Sequence, residues 1–142
     1  MEKLLITNYL IEKDFINSLE TFVLNIEIVE ISNAQDLNHA LIEIGKYECV
    51  GFDTESRPAF LRGQHFPISI IQIALEKKIF IVYIQRTGYT PELINFFKSK
   101  TIKKIGIAMH DDFKKLNSDF VIKAQGLEDL SKIAKAKGIL QG

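Results

Sequence analysis

The 142-residue chain is 46% apolar and 25% charged. That composition suits one globular domain and excludes a disordered, collagenous or disulfide-stapled chain. Its 18 basic and 18 acidic residues balance to a formal net charge of zero, which excludes a uniformly basic nucleic-acid coat protein but leaves room for a local basic groove. Cys49 is the single cysteine, so no internal disulfide and no cysteine-ligated zinc can form. No apolar run approaches the ~20 residues of a membrane span, and the start at Met1 is too polar for a signal peptide. A cytoplasmic protein that stays out of the membrane is expected.

Glu12 to Phe22 carries Phe15, Ile16, Leu19 and Phe22 at helical spacing and predicts a short helix. Ile26 to Ile31 reads as a strand. Ser32 is the predicted N-cap of the next helix, with Gln35 completing a capping box. That helix shows the stripe Ala34, Leu37, Ala40, Leu41, Ile44 and ends near Gly45. Glu48 to Thr54 reads as a strand. Ile68 to Leu75 and Ile79 to Ile84 are apolar strands separated only by Glu76-Lys77-Lys78, which predicts an antiparallel hairpin. Pro91 to Lys98 is a helix with proline in its first turn. Lys103 to Ala108 is a strand and Asp112 to Asn117 opens a helix. Gln125 to Glu128 is a candidate short strand. Asp129 then caps a last helix bearing Leu130, Ile133 and Ala134, stopped by Gly138. The order predicts an α/β fold whose mixed sheet begins with an antiparallel hairpin and continues with parallel strands.

Asp53 and Glu55 follow directly on the apolar strand Cys49-Val-Gly-Phe52. Residues two apart in a strand share a face, so both carboxylates project together. Two like charges at the end of a buried strand are costly unless neutralised, and hard divalent cations do this well. Solvated turn residues would give the same spacing. Asp111-Asp112 form a second acidic pair, between a strand and the start of a helix. A helix cap explains one of them. It does not explain why acids end two strands on one sheet edge, the edge where open α/β sheets bind ligands.

Val50-Gly-Phe-Asp-Thr-Glu-Ser-Arg-Pro-Ala-Phe60, Gly63-Gln64 and Ile70-Ile-Gln-Ile-Ala74 together resemble the first motif of the DEDD 3′–5′ exonucleases, in their Werner-syndrome and ribonuclease D branch. Lys103-Lys-Ile-Gly-Ile-Ala-Met-His-Asp-Asp-Phe-Lys-Lys-Leu116, followed by Asp119-Phe120, resembles the second motif, and Gly126-Leu-Glu-Asp-Leu130 the segment after it. The resemblance implies a ribonuclease H-like fold with a mixed five-stranded sheet flanked by helices. It also implies hydrolysis of phosphodiesters at nucleic acid 3′ ends, releasing mononucleotides. Asp53, Glu55 and Asp112 would be three of four acids holding two divalent cations, Mg²⁺ or Mn²⁺: Asp53 bridging both, Glu55 on one with the attacking water, Asp112 on the other. Asp111 takes a position that is often glycine in that family.

The family's third motif, a tyrosine or histidine four residues before the fourth aspartate, has no counterpart after Asp112. The expected organisation is therefore an N-terminal extension, 1–25, and an exonuclease domain, 26–142, lacking its C-terminal helices. Weak or absent activity is expected of the chain alone, with a noncatalytic nucleic-acid-binding remnant as the alternative. The face those helices would cover, including alternate residues of Val50 to Phe52 and Ile105 to Ile107, is expected to be under-packed and could pair two copies in a homodimer. The partner expected is a nucleic acid 3′ end, DNA or RNA, in single-stranded form. Thr54 would serve it through its backbone. Arg57, Phe60 and Arg62 lie in the following loop, where an aromatic can stack on a base and an arginine can meet phosphate. Phe60 tucked into the core is the competing reading. His110 is expected to face solvent, Cys49 to be a small buried hydrophobe and Gln72 to be hydrogen-bonded in its strand. Lys98, Lys100, Lys103 and Lys104, with Lys114 and Lys115, form a positive run around the second motif.

Overall fold

The structure is a computed structural model and describes residues 13–21, 23, 25–120 and 122–138. In chain order it runs α1 (Lys13–Ser18), β1 (Glu27–Ile31), α2 (Ala34–Ile44), β2 (Cys49–Ser56), β3 (Ile68–Ala74), β4 (Lys78–Tyr83), α3 (Ile84–Thr87), α4 (Pro91–Lys98), β5 (Lys103–Gly106), α5 (His110–Phe120), β6 (Leu127–Asp129) and α6 (Leu130–Ala136). The strands form one six-stranded sheet in the order β1-β4-β3-β2-β5-β6. Pairing is antiparallel for β2–β3 and β3–β4 and parallel for β1–β4, β2–β5 and β5–β6. The mixed character matches the sequence reading. The expected count of five becomes six because the candidate strand near Gln125 to Glu128 does form, two residues later than its predicted start, and pairs with β5.

Strand alternation decides which side chains meet the helices. Val50, Phe52 and Thr54 of β2 are buried, whereas Cys49, Asp53 and Glu55 on the other face are exposed. Ile71 and Ile73 of β3, Phe80 and Val82 of β4 and Ile31 of β1 extend the buried face. Leu37, Ala40 and Ile44 of α2 and Leu93, Phe96 and Phe97 of α4 complete its core. Phe52 is the hub of the aromatic packing, with ring centroids 5.9 Å from Phe97 in an edge-on contact, 5.6 Å from Phe113 and 6.5 Å from Phe96. Val50 and Phe52 are both buried and so do not belong to an uncovered face, as first expected; α4 and α5 cover Phe52. Ile107, which follows the end of β5, is 67% exposed. Cys49 corrects the buried-thiol reading: it precedes buried Val50, so the pleat turns it outward.

The helix ends follow capping chemistry. Asn33, not Ser32, caps α2: its side-chain oxygen accepts from the Asp36 amide at 2.9 Å and its amide donates to the Asp36 carboxylate at 2.6 Å. The cap falls one residue later than expected, and Asp36 answers it through the Asn33 side-chain amide rather than the backbone N–H of a capping box; asparagine caps as well as serine. Thr90 caps α4 through Leu93, with Pro91 at the first position. Asp129 caps α6 as predicted, accepting from the Ser131 amide. The helix at α1 forms within the predicted segment, but its residues are exposed, Phe15 and Ile16 among them.

Lys104 departs most from the sequence reading. It is fully buried rather than part of a surface run. Its Nζ donates to the Ser99 carbonyl at 2.8 Å and the Gln125 carbonyl at 3.1 Å and lies 4.9 Å from the Phe96 ring centroid. Gly126 makes room for this bridge. It sits at φ +71°, and a Cβ there would meet the Ile102 and Ser99 carbonyls at 2.7 and 2.8 Å. Burial pulls the Lys104 ammonium down to about 8 from 10.5. Between those values the unfolded chain holds the proton more tightly than the folded one. Unfolding free energy should therefore rise as pH increases from about 8 towards 10.5. Urea titrations across that range should show the rise, and Lys104→Met should flatten it.

Candidate active site

Contacts among β2, β5 and α5 bring the acidic residues of the two motifs to the same end of the sheet. β2 and β5 run parallel, with Gly51 opposite Ile105, so both deliver their C-terminal ends to one edge. Gly106, the last residue of β5, passes so close to β2 that a Cβ there would lie 2.5 Å from the Phe52 carbonyl oxygen. The chain then turns through Ala108, which holds a left-handed φ of 54°. The Ala108 amide donates to Asp129 Oδ1 at 3.2 Å, the same oxygen that accepts from the Ser131 amide and hydroxyl. This carboxylate fixes a backbone shape that costs a non-glycine residue of order 1–3 kcal/mol. Those hydrogen bonds hold the Asp129 carboxyl below its ordinary range, the Ser131 hydroxyl contributing most.

From that turn α5 starts, and its first turn carries Asp111 and Asp112. Phe113 packs on Phe52, so the residues next to Asp112 and Asp53 are in ring contact. Thr54, buried between Asp53 and Glu55, donates its hydroxyl to Asp112 Oδ1 at 2.6 Å. Its backbone amide donates to Asp53 Oδ1 at 2.9 Å. The threonine thus serves through both groups, whereas its sequence position argued only for the backbone. The reason is that α5 approaches from the buried side of β2, the side Thr54 faces. Burial pushes the Asp112 carboxyl above its ordinary range. The Thr54 hydrogen bond opposes this, the Asp53 charge adds to it, Lys115 opposes it, and Asp111 adds to it again.

Asp53 and Glu55 share the exposed face of β2, as the two-residue spacing requires. Gln72 stands directly across from Asp53 in the β2–β3 register, so its amide lies on the carboxylate's face. Among the described residues no three acidic, histidine or cysteine side chains are grouped closely enough to hold a metal ion. The donors are nevertheless of the right kind: carboxylate oxygens suit Mg²⁺ and Mn²⁺, and mutual repulsion between Asp53 and Asp112 is what a cation relieves. His110 is exposed, as expected, and Asp111 is exposed beside it.

The loop after β2 presents rather than buries its apolar residues. Phe60 is 86% exposed, which excludes the core reading for it, and Leu61 is exposed as well. Arg57 lies over the Phe66 ring, 5.6 Å from its centroid; Arg62 is exposed. Of the lysine run, Lys98 and Lys100 are exposed and Lys103 pairs with Glu128 at 2.7 Å. Two contributors had no sequence signal as site residues: Ser56, which accepts from Lys115 at 2.8 Å, and the turn-fixing Asp129, legible only as a helix cap.

A family model described as 3′-5′ exonuclease matches residues 28–140, and the chain belongs to that family, within the DEDD superfamily. Over 92 residues, 63% of the chain, it is 30% identical to the mouse bifunctional 3′-5′ exonuclease/ATP-dependent helicase WRN, and over 91 residues, 62% of the chain, 31% identical to an Arabidopsis thaliana 3′-5′ exonuclease. It spans only 7% and 31% of those two relatives. Among solved structures it resembles Trypanosoma brucei RNase D in complex with RNA U12, with a TM-score of 0.68 and 16% identity, covering 75% of this chain and 38% of that one. It also resembles the EXD2 exonuclease domain soaked in Mn and GMP, with a TM-score of 0.62 and 18% identity over 78% and 59% of the two chains. At such identity these likenesses speak for the fold.

Proposed function

We propose that this chain acts at nucleic acid 3′ ends as a metal-dependent exonuclease that releases mononucleotides, with Asp53, Glu55 and Asp112 as ligands for divalent cations, Mg²⁺ or Mn²⁺. The observation that carries the reading is the Thr54–Asp112 hydrogen bond, which ties the acid of the second motif to the strand bearing the two acids of the first. A relative soaked in Mn and GMP and another holding RNA support it. Two bound ions would polarise the attacking water and stabilise the leaving oxygen. The protein's part is to hold the donors. The Thr54 hydroxyl orients Asp112, the Thr54 amide orients Asp53, and the Phe52–Phe113 contact fixes strand against helix. Exposed Phe60 offers a face for the terminal base, and Arg57 and Arg62 offer charge to the phosphates. A single strand suits such a site, because its bases are free to stack.

A second reading, a noncatalytic nucleic-acid-binding module, is favoured by one observation: the described residues hold no ready group of three metal donors. For the same reason turnover by this chain should be slow. The two readings separate in one assay. A 5′-labelled single-stranded oligonucleotide is incubated with excess protein and Mn²⁺. The exonuclease reading expects slow shortening from the 3′ end, one nucleotide at a time, stopped by EDTA. Retention of the oligonucleotide with no shortening would establish the binding module instead.

A further inference from the structure

Lys115 lies one helical turn beyond Asp112 on α5, and its Nζ donates to Ser56 Oγ at 2.8 Å. Ser56 ends β2, where the register with β3 shifts after Glu55. Such an irregularity re-aims the side chain that follows it. β2 therefore grips α5 twice, through Thr54 at Asp112 and through Ser56 at Lys115. The partner of Lys115 is a neutral hydroxyl, and none of the ion pairs among the described residues includes it. Its charge nevertheless falls on Asp112. A cation beside Asp112 that spends one hydrogen bond on a neutral hydroxyl keeps further N–H donors for an anion without leaving Ser56.

We propose that Lys115 is a further phosphate contact of this site, besides the loop arginines, holding a non-bridging oxygen of the terminal phosphodiester beside Asp112; this rests on the nucleic-acid reading above. The acids repel a phosphate until something positive lies between them. Arg57 is turned onto the Phe66 ring, whereas Lys115 is already fixed by Ser56 near Asp112. The half-buried position of Lys115 also lowers the entropy lost when it engages. Its charge should compete with a divalent ion for the same carboxylates.

The test uses the full chain, with Lys115→Met, Lys115→Arg and, as a control, Lys77→Met in the β3–β4 turn at the opposite end of the strands. Binding of a fluorescent single-stranded oligonucleotide is measured in EDTA across a salt series, and Mn²⁺ affinity is measured separately by electron paramagnetic resonance. Lys115→Met should weaken oligonucleotide binding several-fold and reduce the slope of log affinity against log salt by about 0.7. The same variant should bind Mn²⁺ more tightly. Lys115→Arg should restore the slope and Lys77→Met should leave it unchanged. A lysine that merely docks the helix would change neither slope nor metal affinity, and that result overturns the proposal while leaving the nuclease reading intact. Failure of the unmutated chain to bind the oligonucleotide would overturn both. Should Lys115→Met fail to fold, Ser56→Ala, which frees the ammonium from its anchor, should also weaken oligonucleotide binding; unchanged binding in Ser56→Ala overturns the proposal equally.

Discussion

Asp112→Asn should slow metal-supported strand shortening at least about 100-fold while leaving the protein as stable as before or slightly more so. Loss of a residue that only supports a metal ligand already costs about 10–100-fold, and a ligand should cost more. The stability side follows from the surroundings of the carboxyl. Its ionised form is disfavoured by burial and then by the charges of Asp53 and Asp111. In the folded state this group holds its proton more tightly than in the unfolded chain, so its ionisation at neutral pH works against folding. Asparagine removes that charge and keeps an oxygen for the Thr54 hydroxyl. Single-turnover digestion and urea unfolding of the same preparation measure both effects. A variant that loses activity only because it unfolds would show a lowered urea midpoint.

Phe52→Ala should cost about 3–5 kcal/mol of unfolding free energy, the range for emptying a large aromatic site in a packed core. That is a large part of the 5–15 kcal/mol typical of a domain. Phe52 is 5% exposed and makes ring contacts with Phe96, Phe97 and Phe113. The loss should fall on the site as well as on the core, since the Phe113 contact holds α5 against β2. Leu93→Ala, buried in α4, gives the comparison. Both variants should lower the urea midpoint, and the Phe52 variant should show the greater loss of Mn²⁺ affinity under conditions where both remain folded.

Much of this architecture was legible in the residues because its causes are local. The alternation of Val50, Phe52 and Thr54 with Gly51, Asp53 and Glu55 fixes which face of β2 is buried, and Glu76 to Lys78 is too short for anything but a hairpin. The family resemblance brought Asp112 to the same edge as Asp53. What escaped depends on tertiary contacts. Lys104 read as one more surface lysine, since nothing in its neighbours announces two carbonyls waiting in the interior. Thr54 was assigned by strand parity to the face away from Asp53 and Glu55, correctly, but parity does not reveal that α5 arrives on that face. Asp129 looked like an ordinary helix cap; its hold on the Ala108 amide spans 21 residues. The offset of the α2 cap from Ser32 to Asn33 is a choice between two adjacent good caps, and Asn33 is the one whose side chain both accepts from and donates to Asp36.

Titration with Mn²⁺ followed by electron paramagnetic resonance tests the central claim, that the acids joined by the Thr54–Asp112 contact form a divalent-cation site. Saturable binding is expected in the unmutated chain, weakened at least tenfold in both Asp53→Asn and Asp112→Asn with the fold intact by circular dichroism. No saturable binding at millimolar Mn²⁺, or equal affinity in the two variants and the parent, would contradict it.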